Sequence, residues 1–127
     1  MNESTIAVKL LTLFASGGTF EGIVADLPMF KTQIESAHDW MKTAGRCSAM
    51  EIAERATWLR ELILQKEEAI KRRDFDLAAE LRAEECALYE SLGFTKPIGG
   101  TWHTHLHVGI DKQIRDLSAL LYDANAA

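Results

Sequence analysis

The stretch ATWLRELILQKEEAIKRRDFDLAAELRAEECALYESLG, residues 56–93, decides the fold class. Apolar residues recur in it at helical spacing, first through Ala56, Leu59, Ile63 and Ile70, with Leu62 and Trp58 beside that stripe. After Arg73-Asp74 a second helical pattern begins. One line carries Phe75, Ala78, Ala79, Cys86 and Tyr89, and another carries Leu77, Leu81, Leu88 and Leu92. Asp74 is a good N-cap because its carboxylate accepts from the free backbone N–H groups of the first turn, and Gly93 suits the left-handed residue that ends a helix. The pattern therefore predicts two antiparallel helices joined by a short turn.

The first of these helices has a clear start upstream. In Ser48-Ala49-Met50-Glu51 the serine and glutamate are spaced to satisfy each other's backbone N–H groups, a capping box. Glu67 with Lys71 and Glu68 with Arg72 are opposite charges four residues apart in the favourable order. Lys71, Arg72 and Arg73 place cations at the helix C-terminus, where they complement its dipole. That structural role, together with a formal net charge of −5, argues against reading the triplet as a nucleic-acid contact.

Working outward, Ser4 or Thr5 caps a helix over about residues 5–16 with Ile6, Leu10, Leu13 and Phe14 on one face, stopped by Gly17-Gly18. Residues 19–26 read as a connector with a short helical turn at Phe20–Ala25. Pro28 announces a helix over about 27–43 whose buried face carries Phe30, Ile34, Ala37, His38 and Met41. His38 on that face reads as a packing residue. A last helix over about 110–124 carries Ile114, Leu117, Leu120 and Leu121.

These elements make one domain from 127 residues, an all-α bundle of four to five helices with the hairpin as its central pair. A content of 47% hydrophobic and 26% charged residues is ordinary globular material. Cys47 and Cys86 form no C-x-x-C pair and fit a reducing cytoplasm. The acidic start at Met1-Asn2-Glu3 argues against a secretory signal.

Phe75-Asp76-Leu77-Ala78-Ala79-Glu80-Leu81-Arg82 closely resembles the core of the UVR motif, and Lys66-Glu67-Glu68-Ala69-Ile70 and Glu84-Glu85 extend the likeness over roughly residues 62–92. That motif is a helical hairpin named for the B and C subunits of the bacterial excision-repair nuclease. It also occurs in Clp-type unfoldase ATPases and in activators of protein arginine kinases. Members commonly carry an acid directly after the arginine, where this chain has Ala83. The resemblance implies protein–protein contact, with a Clp-type ATPase, a repair-nuclease subunit or a second copy of the chain, in a bacterial or phage protein. It implies no catalysis and no cofactor. On this reading Phe75 plugs the open end of the hairpin, Ala78 and Ala79 admit a close helix, and Leu81 lies on the offered apolar line. Arg82 reaches back to Glu67 or Glu68 or contacts the partner.

The sequence holds no G-x-x-x-x-G-K-[ST] loop and no H-E-x-x-H helix, so it is expected to be neither the unfoldase nor the nuclease, and not an enzyme. One rival constellation stands apart. His103, His105 and His107 alternate, and in an extended segment alternate side chains share a face, so three imidazoles could meet on zinc or another transition metal, with Cys47, Cys86 or Asp111 completing the set. That pattern offers a small metal-binding protein as the alternative function.

Overall fold

The computed structural model describes residues 3–94 and 109–126, and these are helical almost throughout, so the all-α expectation holds. Six α-helices lie among the described residues: α1 (Glu3–Ala15), α2 (Phe20–Asp26), α3 (Lys31–Gly45), α4 (Ala49–Lys71), α5 (Phe75–Ser91) and α6 (Ile110–Ala126). A 3-10 turn, Pro28–Phe30, joins α2 to α3. The count exceeds the expected four to five because residues 20–26 form a full short helix in place of a connector. Thr19 caps that helix, its Oγ1 accepting from the Gly22 N–H at 3.1 Å. Pro28 separates it from α3. A residue before proline is pushed out of the α region, and Leu27 sits at φ −128° and ψ 58°.

Two of the caps read from sequence are present, whereas α1 is already helical at Glu3, so Ser4 and Thr5 lie inside it and do not cap it. The Glu51 N–H donates to Ser48 Oγ at 3.1 Å and the Ser48 N–H donates to Glu51 Oε1 at 3.2 Å, closing the capping box. Asp74 Oδ1 accepts from the Leu77 N–H at 3.2 Å and starts α5. Helix α3 runs to Gly45, two residues past the expected end, and Arg46 takes the left-handed conformation at φ 50°. Gly45 is used for something else. A Cβ there would press on Cys47 Sγ, Leu92 Cδ2 and Arg55 Nη1 at 3.1–3.3 Å, so its bareness admits the end of α5. Gly93, at φ 87°, completes that junction, because a Cβ on it would collide with Ala44.

The centre of the bundle is shared by α4, the first helix of the hairpin, and α1. Helix α1 packs against α3, α4 and α6, and Ala7, Leu10, Leu11, Leu13 and Ala15 are all within 1% of complete burial. A helix covered on several sides must be apolar nearly all round, as this one is. Helix α5 packs chiefly on α4, so α5 and the outer part of α4 form an arm rooted in the bundle at one end. At the root, Leu92 and Phe94 are buried, Phe94 lies against Trp40 with ring centres 5.3 Å apart, and Arg55 Nη1 donates to the Ser91 carbonyl at 3.2 Å. At the far end every residue from 70 to 76 is exposed.

Helix α6 closes the other side of α1. Leu117 and Leu121 are fully buried, Gln113 Nε2 donates to Ser16 Oγ at 2.9 Å, and Tyr122 sits edge-on to Phe30 at 4.9 Å. Among the described residues no single helix is long and apolar enough to cross a membrane.

Candidate functional sites: the hairpin tip and a groove beside His38

The hairpin divides the five residues singled out in it. Ala78 and Leu81 are buried against α4, while Phe75, Ala79 and Arg82 are exposed. The buried stripe of α5 runs Ala78, Leu81, Glu85, Leu88 and Leu92, the spacing of one helical face. Phe75, the first residue after the cap, falls about a quarter turn away from that stripe. It therefore does not plug the hairpin; its side chain is 64% exposed. Ile70 is likewise bare, although it continues the Ile52, Ala56, Leu59 and Ile63 face of α4, because the bundle covers that face only as far as Ile63.

An ion pair that was not expected crosses the hairpin. Lys66 Nζ meets Glu85 Oε1 at 2.7 Å, and the Glu85 side chain is nearly buried. Arg82 follows Leu81 by one residue and so points about 100° round the helix, onto the exposed side. A signal for Glu85 was present: it stands seven residues before Leu92 and four after Leu81, on the apolar stripe itself. Charged groups on such a stripe are retained only with a partner.

The second site was not anticipated. The C-terminal end of α1, the start of α2, the middle of α3 and the first turns of α4 enclose an open groove of about 670 Å³. His38 forms part of its wall. The imidazole stacks on Phe20 with ring centres 4.5 Å apart and 19° between planes, and takes Phe14 edge-on at 5.9 Å. Burial, and then the positive charge of Lys42, hold its pKa below the usual 6.5, against a smaller upward pull from Asp39 and Glu21. His38 is thus the packing residue that the sequence suggested, on a face that also opens to a groove. Lys42 bonds Asp39 at 3.0 Å along the same helix. Glu21 and Glu35 complete the charged part of the wall, and Met50, 72% exposed, forms an apolar part.

The histidines His103, His105 and His107 lie outside the described residues. Among those described, no group of three His, Cys, Asp or Glu side chains gathers in a way that could hold a metal. Cys47 and Cys86 are half-buried free thiols. Compared with known proteins, the chain matches no family model, no curated protein and no solved structure.

Proposed function

We propose that the chain is a non-enzymatic protein-interaction module, an adaptor, regulator or competitor, whose contact surface is the tip of the α4–α5 hairpin. The observation that carries this reading is the bareness of Phe75, with Ile70 49% exposed on the helix before the turn. Neither side chain contributes to the core. Large apolar groups gathered at the end of an arm, where polar residues would serve the fold equally well, are what a docking surface requires. Lys71, Arg72 and Arg73 stand exposed around them. The complementary partner is a protein with an apolar socket for Phe75, rimmed by carboxylates.

The resemblance of residues 62–92 to the UVR motif supports the same surface. It directs the search to Clp-type ATPases and repair-nuclease subunits, in the cytoplasm of a bacterium. Arg82, exposed seven residues or about two turns from the tip's Phe75, extends the surface along α5.

The test titrates a purified Clp-type ATPase that bears a UVR segment, and separately the excision-nuclease B subunit, with the whole chain. Phe75→Asp and Arg82→Glu are compared with wild type after circular dichroism shows equal helicity. Saturable binding by wild type that Phe75→Asp weakens at least tenfold is the expected result. Equal binding by wild type and both variants, or none to either protein, removes the hairpin as the functional surface. Sedimentation of the chain alone examines self-pairing: a dimer dissociated by Phe75→Asp would replace the foreign partner with a second copy. Leu81 is unsuitable for such a charge insertion because it is buried under α4.

A further inference from the structure

The groove beside His38 has the make-up of a ligand site, independent of the hairpin. Its sign can be worked out from its wall. Asp39 and Lys42 neutralise each other across 3.0 Å. Glu21 and Glu35 remain, both exposed and both on the wall. The C-terminal end of α1 also faces the groove through Phe14, Gly17 and Gly18, and Arg60 Nη1 already donates to the Ala15 carbonyl there at 3.3 Å. The helix N-termini that reach the groove are already capped, α4 by the Ser48–Glu51 box and α2 by Thr19. The groove therefore favours a cation.

His38 adds an independent observation. Only 7% of it is exposed, yet it lines the groove. A neutral imidazole offers one acceptor nitrogen, which a ligand N–H can use. The apolar part of the wall, Phe20 and Met50 with Ala49 and Ala53, suits a flat or branched hydrocarbon body. At about 670 Å³ the space matches that of small-molecule sites.

We infer that this groove binds a small primary ammonium carried on an aromatic stem, the ammonium lying among Glu21, Glu35 and His38 and the stem against Phe20 and Met50. Cation–π contact with Phe20 adds to the charge complementarity.

The test uses the full chain, isotope-labelled, with 2-phenylethylammonium as probe, followed through the His38 ring and Met50 methyl resonances. The expected result is saturable shifts of both, with a dissociation constant on the order of 1 mM for a fragment of this size. 2-Phenylethanol should bind more weakly and 3-phenylpropionate not at all. Glu35→Gln, at an exposed position, should leave the fold intact and weaken the ammonium several-fold. Absence of saturable shifts, equal binding of the carboxylate, or indifference to Glu35→Gln would overturn the site. Equal affinity for Nα-acetyl-lysine amide would overturn the aromatic stem and assign the groove to a polypeptide lysine.

Discussion

Phe20 and Phe75 are both phenylalanines at the first position of a capped helix, one after Thr19 and the other after Asp74. Phe20 folds back onto His38 and becomes the wall of a groove. Phe75 meets nothing comparable and stays exposed. The local sequence signals are the same, and the difference comes from what stands behind each helix start. Helix α2 begins where α1 and α3 already converge, whereas α5 begins at the free end of an arm. Aromatic rings near the root of the bundle are therefore tied into packing. The ring at the tip is available for contact. Substitutions at the two ends should separate stability from binding.

The largest effect is expected at the hub. Leu10 is fully buried in α1. Leu10→Ala should cost about 3–5 kcal/mol, the range for a buried leucine whose cavity cannot collapse. Chemical denaturation should show the loss as a shifted midpoint with an unchanged slope. A loss under about 1 kcal/mol would mean that α1 is not at the centre of the core.

Next comes the middle of the arm, through the Lys66–Glu85 pair. Lys66→Ala leaves a nearly buried carboxylate alone and should destabilise by about 2–3 kcal/mol, below the full range for buried pairs because Lys66 keeps some solvent. The double variant Lys66→Met with Glu85→Leu should recover most of that loss, since a well-packed apolar pair can replace a buried ion pair. Failure of the double variant to recover would show that the pair fixes how the two helices sit.

Much of this contrast was legible in the residues, and the part that was not follows a physical rule. Ser48, Asp74 and Gly93 act within one turn of their own positions, so their caps and stops could be read directly. Phe30, Ile34, Ala37, His38 and Met41 share a face by periodicity alone, and all are buried. Periodicity names a face but not what covers it. Ile70 continues the apolar face of α4 and is bare, while Ala7 and Leu11 lie off the face first assigned to α1 and are buried, because three helices surround it. Lys66 and Glu85 are 19 residues apart, on different helices. The groove draws on α1, α2, α3 and α4 with no local motif, so nothing in any one segment announces it.

A smaller effect should appear with pH at the His38 end. The folded-state pKa of His38 lies below its unfolded value, because burial and Lys42 outweigh Asp39 and Glu21. Below about pH 6.5 the unfolded chain takes up a proton that the folded chain declines. Stability contributed by the neutral ring is complete above that pH, falls as pH drops, and levels off below the folded pKa. His38→Phe should remove this step from the pH dependence while leaving carboxylate titration at lower pH in place. An unaltered profile in His38→Phe would show that the acid response arises elsewhere.

The smallest effect on stability is expected at the tip, and it sharpens the comparison most. Phe75→Ser removes a side chain that the core does not use, so the denaturation midpoint should move by no more than about 0.5 kcal/mol. Phe20→Ser, at the matching position in α2, should instead cost about 2–3 kcal/mol, because it empties half of the stack around His38. If Phe75→Ser proved as damaging as Phe20→Ser, the tip would be packed in solution, against the bundle or a second copy, and its exposure could no longer argue for a waiting partner. If the two differ as expected, Phe75 is dispensable to the fold. Any binding that Phe75→Ser then abolishes has to be direct contact, since a residue that does not hold the structure together cannot weaken binding by loosening it.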